Sequence, residues 1–313
     1  MDPLVKQMNN IFVIDTKFQG RFDHYMSAFL VKGDKLALID AGQPPQLEVV
    51  RAGIKAHGFS VSDIDYIFVT HCEHPDHAGC VAPILKESPK AAVYINPIGM
   101  EALTAPESIN WAERVAPEFL SRQLAAIKGW QPVDPSRIQC LKDGDTVDLG
   151  SGEKLRVMFT PAHQPSGLVI FEEKNQGLFI SDVVGNCFMD ADAHYLLSPA
   201  LSDHTEAIRV MKELMKVPLK YLYMGHYGIT NKPQLVMSRA ISKLETMLDI
   251  GRKCIREGKP EWIPGKYYET IVSELEKLKS VRGEEMYQYT QEHIIQQGKL
   301  FAKYCQEKFG PES

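Results

Sequence analysis

Short apolar runs separated by turn residues dominate the first 230 positions of the chain. Their composition and period predict strands at residues 11–18, 25–40, 66–70, 91–95, 138–141, 146–149, 154–160, 168–172, 178–181 and 219–224. Apolar residues at helical spacing predict helices at residues 44–57, 78–87 and 205–216. Strands that alternate with helices in this way are typical of a layered α/β fold.

The pattern changes after Lys232, where the strand signals end. Helices rich in Glu, Lys and Gln are predicted at residues 234–257, 267–280 and 284–308. We therefore predict an α/β body over residues 1–231 and a helical extension over residues 232–313 that packs on it. The extension either caps a pocket of the body or forms a homodimer contact, and its aromatic residues are Trp262, Tyr267, Tyr268, Tyr287 and Tyr289.

Polar side chains that suit metal ions follow five of the predicted strands. They are Asp40, residues 71–77, His163, Asp182 and His226. Since strands that lead into such loops share one edge of a sheet, we expect the five clusters to meet there.

Residues 71–77 carry the strongest of these signals. This loop holds three histidines, one aspartate and one glutamate within seven residues, in a chain with only 10 histidines. Imidazole and carboxylate groups are suitable ligands for zinc, iron or manganese. A polar surface loop would rarely gather so many of them, so we predict a metal site.

The motifs resemble those of the metallo-β-lactamase superfamily. The sequences V-T-H at 69–71 and H-P-D-H-A-G at 74–79 are similar to its signature T-H-x-H-x-D-H-x-G. Four further segments also resemble the family: L-I-D-A-G at 38–42, T-P-A-H at 160–163, L-F-I-S-D at 178–182 and G-H at 225–226. This resemblance covers roughly residues 10–230, and it implies a four-layer αββα sandwich like that of glyoxalase II.

The resemblance also implies a centre with two divalent metal ions, zinc in first place and iron or manganese as alternatives. The first ion would be bound by His71, His74 and His163. The second would be bound by Asp76, His77 and His226. Asp182 would bridge the two ions, and Asp76 would also orient the nucleophile as the catalytic residue. Asp40 would accept a histidine N–H and fix the orientation of that ring.

The central loop departs from the family signature in one respect. The family has one residue between its first two histidines, whereas this chain has two, Cys72 and Glu73. We favour His71 as the first ligand, across a one-residue bulge. Two other registers remain open: Cys72 takes that place, or Glu73 is a ligand as in the H-x-E-x-D-H loop of the flavodiiron proteins.

Three functions follow from this reading. The first is a hydrolase that activates a bridging water and cleaves an ester-type bond, a thioester or a lactone, of a small molecule. The second is a di-iron reductase of oxygen or nitric oxide that lacks a flavodoxin domain. The third is a metal-binding protein without catalysis. The chain shows no G-x-S-x-G motif, and we expect Cys72 to be a loop residue and not a nucleophile.

The pocket wall is predicted to include residues 183–204, which follow the bridging aspartate. Its polar or aromatic candidates are Asn186, Asp190, Asp192, His194, Tyr195 and His204. His194 is either a substrate contact or, as we prefer, a surface histidine. Tyr227, next to His226, either reaches the site or packs in the core.

Composition narrows the class of protein. The 313 residues are 44% hydrophobic and 24% charged, with a net charge of −5, and no basic stripe indicates a nucleic-acid partner. No window approaches the ~20 apolar residues that a membrane span requires, and residues 1–10 show no signal peptide. The six cysteines are scattered without a C-x-x-C pair, so we predict reduced thiols and a cytoplasmic protein.

Overall fold

Two β-sheets form the centre of the computed structural model, which describes residues 7–18, 22–115, 117–197 and 201–311. The first sheet runs in chain order through β1 (Gln7–Met8), β2 (Ile11–Asp15), β3 (Ser27–Lys32), β4 (Leu36–Ile39), β5 (Tyr66–Phe68), β6 (Ala92–Ile95) and β7 (Ile138–Cys140). Neighbours pair antiparallel from β1 to β4 and parallel from β4 to β7. Residues 1–6, part of the segment searched for a signal peptide, lie outside the described residues.

Eight more strands follow in the chain. They are β8 (Thr146–Gly150), β9 (Glu153–Phe159), β10 (Leu168–Glu172), β11 (Gly177–Ser181), β12 (Asn186–Phe188), β13 (Ala193–Tyr195), β14 (Tyr221–Met224) and β15 (Ile229–Thr230). Six of them form the second sheet, in the order β15-β14-β11-β10-β9-β8, and β12 and β13 form a separate hairpin. Within the second sheet β11 and β14 are parallel, so both lead to the same edge.

Helices cover the outer faces of both sheets. They are α1 (Leu47–Ala56), α2 (Pro75–Ala78), α3 (Val81–Glu87), α4 (Met100–Thr104), α5 (Trp111–Arg114), α6 (Leu120–Ala126), α7 (His204–Leu214), α8 (Pro233–Arg256), α9 (Ile263–Glu269), α10 (Val272–Arg282) and α11 (Glu284–Phe309). None of the helices in the described ranges is long and apolar enough to cross a membrane.

Three apolar clusters hold these layers together. Alternate residues of the facing strands, such as Phe29 and Phe179, form the core between the sheets. Val50 of α1 and Ile84 of α3 pack with the outer face of the first sheet. The outer face of the second sheet lies in one cluster with the helices of the C-terminal region, including Phe301 of α11. The predicted four-layer sandwich with a C-terminal helical region is therefore confirmed.

Element boundaries differ from the sequence prediction at two places that affect the argument. A single helix over 267–280 is wrong: α9 ends at Glu269 and α10 begins at Val272. At this break the Thr270 hydroxyl donates a hydrogen bond to the carbonyl of Tyr267, a local alternative to the helical pattern. The helix predicted over 78–87 begins later, as α3 at Val81, and a separate short helix, α2, precedes it. The latter begins at Pro75, because proline suits the first helical position.

A pair of buried carboxyl groups lies at the sandwich end where β10 finishes and β9 begins. Glu153 and Glu172 are both fully buried. Asn10 donates a hydrogen bond to Glu153, and the Tyr223 hydroxyl donates one to Glu172. Burial, and then the neighbouring Glu172 charge, raise the pKa of Glu153 to about 8. The folded protein therefore keeps a proton here at neutral pH.

Glu153→Gln tests this buried proton. Between the ordinary pKa of 4.5 and about 8, the folded state holds a proton that the unfolded state has released. The free energy of unfolding therefore falls with rising pH in this window, by about 1.4 kcal/mol per pH unit. Glutamine removes this dependence, so we expect the melting temperature of the variant, relative to wild type, to increase from pH 5 to pH 8. The exposed Glu173→Gln serves as control, and an offset that does not change with pH would contradict the prediction.

Candidate metal centre

Asp40 organises the edge where β4 and β5 end. Its Oδ1 accepts a hydrogen bond from the Thr70 backbone N–H (2.8 Å), and its Oδ2 accepts one from the Thr70 hydroxyl (2.9 Å). His77 Nδ1 lies 2.7 Å from the same Oδ2. Since an ionised carboxylate only accepts, Nδ1 of His77 carries the proton and Nε2 of this ring faces the other way.

Asp182 follows β11 and occupies the centre of the site. His77 Nε2 lies 3.4 Å from its Oδ1, and His226 Nε2 lies 3.3 Å from its Oδ2. His226 is oriented from behind, because its Nδ1 donates to the Tyr25 carbonyl at 2.9 Å. The backbone leaves space for this approach: a Cβ atom at Gly225 would lie 2.5 Å from Asp182 Oδ1, so glycine is required there.

The described residues bring donor atoms together in two groups. The first contains Asp76, His77, Asp182 and His226, and the second contains His71, His163 and Asp182. Within each group the donor atoms lie within 4.8 Å of one another. Asp182 belongs to both groups, and its Oδ2 is 3.6 Å from His163 Nε2.

The chemistry of these donors fits cations. With Nδ1 of His77 and of His226 both donating elsewhere, each ring directs Nε2 towards an oxygen of Asp182. At these distances a proton or a metal ion must lie between the two atoms, because two lone pairs that face each other repel. Moreover, His71 Nε2, His77 Nε2 and Asp182 Oδ1 are buried without a hydrogen-bond partner. Two ligands, each roughly 2.1 Å from one ion, lie roughly 3–3.5 Å apart, which matches the distances here.

Electrostatics favours the protonation states that metal binding needs at His71, His163 and Asp182. Burial lowers the pKa of His77 and of His226, but the neighbouring carboxylates outweigh it and raise both, so these two rings must each release a proton when they bind an ion. Burial, together with the neighbouring His77, holds the pKa of His71 well below its usual value, and burial lowers the pKa of His163 to about 4. Burial alone would raise the pKa of Asp182, but the charges of His226 and His77 outweigh it and hold this pKa well below the usual range. Neutral imidazole and ionised carboxylate are the forms that bind metal.

Comparison with known proteins identifies the family of this chain. A family model described as the metallo-beta-lactamase superfamily matches residues 21–226. The chain belongs to the metallo-beta-lactamase superfamily. Among solved structures, a metallo-beta-lactamase family protein from Thermus thermophilus is similar over 96% of this chain and 94% of its own, with a TM-score of 0.66 and 16% identity. At this identity the likeness shows the fold alone.

Curated relatives of this superfamily chain are longer proteins. The flavo-diiron protein FprA2 of Clostridium acetobutylicum is 24% identical over 60% of this chain and 43% of its own length. Diflavin flavoprotein A 1 of Synechocystis sp. is 29% identical over 51% of this chain and 23% of its own. The chain spans about a quarter to a third of the length of the first relatives matched. The chain thus shares the superfamily domain with flavodiiron proteins. This likeness does not assign the activity of those longer proteins to the chain.

The two histidines at the start of the central loop, His71 and His74, lie differently relative to the donor groups. His71 lies among the converging donors, as the favoured register expects, and its Nδ1 is 3.3 Å from the Ser181 hydroxyl. His74 lies outside both groups: its Nδ1 is 3.1 Å from Asp76 Oδ1, and its ring contacts Trp111. The His74 side chain is 31% exposed and lines the pocket. A metal-ligand role for His74 remains a prediction.

Cys72 and Glu73 point away from the donors. The Glu73 carboxylate accepts hydrogen bonds from the Ser166 backbone N–H, the Ser166 hydroxyl and the Cys72 backbone N–H. The Cys72 thiol packs against Gly99, where an added Cβ would lie 2.5 Å from the sulfur. Burial, and then the Glu73 charge, raise the pKa of this thiol well above its usual value, so it is unsuited to act as a nucleophile.

Glu73→Gln separates a structural role from metal binding. The substitution turns one of the two accepting oxygens into an NH2 group that cannot accept, so at least one of three charge-assisted hydrogen bonds to a buried loop is lost and the rest become neutral. Each bond to a charged group contributes about 1.5–3 kcal/mol. We expect a fall of about 2 kcal/mol in the free energy of unfolding, measured by denaturant titration, with an unchanged metal content by elemental analysis. Loss of one metal equivalent would instead support the register in which Glu73 is a ligand.

The pocket over these donors has walls that the sequence did not indicate. Its lining includes Tyr25 from the β2–β3 connection, Arg114 and Phe119 from the α5–α6 region, and Tyr289 and His293 from α11. The C-terminal helix therefore contributes to the metal pocket, as one of the two predictions for the extension stated. No local pattern marks these residues, because they meet the site only through long-range packing.

Several candidates from residues 183–204 do not face the pocket. His194 is 1% exposed, and its Nε2 donates to the Val184 carbonyl at 2.7 Å, so it is neither a pocket residue nor a surface histidine. Tyr227 is buried and contacts Phe188 edge-on. Leu197 is the pocket-lining residue of the described part of this segment; residues 198–200 lie outside it.

Proposed function

We propose that this chain is a dinuclear metal-dependent hydrolase that activates a bridging water and cleaves an ester-type bond, most suitably a thioester or lactone, of a small molecule. One observation carries the proposal: Asp182 is shared by two groups of buried donors at the floor of an open pocket. Bound at these donors, two divalent ions, zinc in first place, would supply a water of lowered pKa and a Lewis acid for the carbonyl.

The protein's own residues would set up this reaction by position and charge. Asp40 holds His77 in one tautomer, and the Tyr25 carbonyl does the same for His226. Asp76 keeps an ionised carboxylate at the pocket floor, since the charges of His74 and His77 lower its pKa despite burial. We assign Asp76 to orient the attacking water. The oxygen of the water bonds to the carbonyl carbon, the carbon–sulfur or carbon–oxygen bond breaks, and the leaving group takes a proton from the water.

The names of the curated relatives favour a second candidate, a di-iron reductase of oxygen or nitric oxide. Relatives include a flavo-diiron protein and an anaerobic nitric oxide reductase flavorubredoxin of Salmonella arizonae. Against it, the hydrogen bonds of Glu73 direct this carboxylate away from the donors, so the glutamate of the flavodiiron loop has no counterpart among them. We therefore rank the hydrolase first.

Elemental analysis and a substrate panel test the proposal together. The purified protein, loaded with zinc or with iron, is assayed on thioesters, lactones, phosphoesters and β-lactams, and for oxygen or nitric oxide consumption with a chemical reductant. Turnover of a thioester or lactone by the zinc form is the expected result, and it would also exclude a purely metal-binding protein. Reductase activity of the iron form without any hydrolysis would overturn the proposal in favour of the second candidate.

A further inference from the structure

Arg114 is the one lysine or arginine that lines the metal pocket within the described part of the chain. It belongs to helix α5 and is half-buried. The structure gives its guanidinium group no hydrogen bond or ion pair to any described residue, and the carboxylates of Glu73 and Glu113 act on it only through their charge. The five N–H donors of this half-buried guanidinium are therefore available to an anion in the pocket.

The pocket over the donors borders a larger cavity. The space above the donors is about 100 Å³. A neighbouring cleft of about 710 Å³ shares Arg114 and Leu300 with this pocket. Arg114 therefore lies at the junction, where a molecule that reacts at the metals would continue into the larger cleft.

Charges in the cleft restrict where a substrate anion can lie. The walls carry the carboxylates of Glu101, Glu113 and Glu307, whereas Lys303 is 3.9 Å from Glu307. An anionic group deep in the cleft would be repelled, but at the junction it would meet the Arg114 fork. Beyond the junction, apolar side chains such as Ile109 and Leu300 line the cleft and suit an uncharged portion of the molecule.

We propose that Arg114 binds an anionic group of the substrate, a carboxylate or a phosphate, placed a few bonds from the cleaved ester-type bond, while an uncharged remainder lies in the neighbouring cleft. This inference rests on the proposed hydrolase function and adds the substrate class to it. Arginine suits the task because its planar fork binds either anion through two parallel hydrogen bonds, which lysine cannot do.

A set of matched thioesters of N-acetylcysteamine tests the inference. The succinyl thioester carries a carboxylate, its methyl ester lacks the charge, and the 3-phosphonopropionyl thioester carries a phosphonate in its place. For Arg114→Gln we expect kcat/KM to fall about 10- to 100-fold on whichever anionic thioester the wild type prefers, mainly through KM. The fall on the methyl ester should be at least about fivefold smaller, and Arg114→Lys should lie between the wild type and Arg114→Gln.

Two further measurements keep the outcome interpretable. Arg209→Gln removes an exposed arginine whose hydrogen-bond partner is Glu206 on α7, away from the pocket, and should leave all rates unchanged. The thioether analogue of the succinyl thioester cannot be hydrolysed, so calorimetry on the metal-loaded protein measures its binding directly. We expect its Kd to increase about tenfold or more in Arg114→Gln.

The possible failures are distinguishable. Equal losses on the charged and uncharged thioesters, or an unchanged Kd for the thioether, would show that Arg114 only balances the charge of Glu73, and the inference would fall while the hydrolase stands. If no thioester is hydrolysed but thioether binding still depends on Arg114, the anion site stands and the proposed reaction falls. Should Arg114→Gln fail to fold, Arg114→Lys keeps the positive charge and carries the same test.

Discussion

Replacement of Asp182 by asparagine is expected to remove bound metal from both sites and to lower kcat/KM by about 10³-fold or more. Asp182 is shared by both groups of donors, so its loss affects each of them. Removal of a residue that only supports a ligand costs about 10- to 100-fold, and a shared ligand should cost more. Elemental analysis of the dialysed protein and steady-state kinetics on a thioester measure the two effects.

The matched control for this variant is Asp192→Asn. Asp192 is 62% exposed and pairs with Arg239 on α8. Asp192→Asn therefore makes the same chemical change at a position outside the metal site. Circular dichroism should show both variants folded, because asparagine has nearly the same size and shape as aspartate. An Asp182→Asn protein that keeps two metal equivalents would contradict the dinuclear arrangement.

His71→Ala is expected to have a far larger effect than His74→Ala, although the two histidines are neighbours in the same loop. His71 is 2% exposed and belongs to the donor group with His163 and Asp182, so its loss should remove one metal equivalent and lower kcat/KM by about 10²- to 10³-fold. His74 lines the pocket beside Asp76 and lies outside both donor groups, so we expect its loss to cost at most about tenfold. Metal stoichiometry and kinetics, measured on both proteins, decide the order.

Cys72→Ser provides the control for the loop. Its side chain is nearly the same size, and the thiol packs away from the donors, so the variant should keep both metal equivalents. If His74→Ala loses the metal and His71→Ala retains it, the bulge lies elsewhere in the loop than the structure indicates. If Cys72→Ser loses it, the register without a bulge is correct.

The fold and the gathering of donors were predictable because both depend on local patterns. Each donor cluster follows an apolar strand, and parallel strands such as β11 and β14 end at one edge, so Asp182 and His226 must meet. Six of the seven candidate donors, all except His74, lie in the two groups where their motifs lead. The order of the motifs along the chain and the two-residue period of the apolar runs are therefore enough to predict both.

The orientation of the loop side chains could not be predicted, because it depends on partners far away in the sequence. Glu73 is turned from the donors by Ser166, which lies 93 positions along the chain. His74 lies beside Asp76 and outside both donor groups, a position that only the packed structure shows. The same holds for Arg114, which reaches the pocket on a short helix whose sequence resembles that of an ordinary surface segment.

The contribution of α11 to the pocket wall has a consequence for dissecting this protein. Every candidate donor precedes residue 230, yet Tyr289 and His293 border the same cavity, and Phe301 belongs to the cluster that covers the second sheet. A fragment trimmed after the last histidine donor would expose the apolar underside of that sheet to water and would aggregate. Shortened versions of this chain are therefore unsuitable for work on the pocket. Engineering of substrate choice should include the residues of α11 that line the pocket.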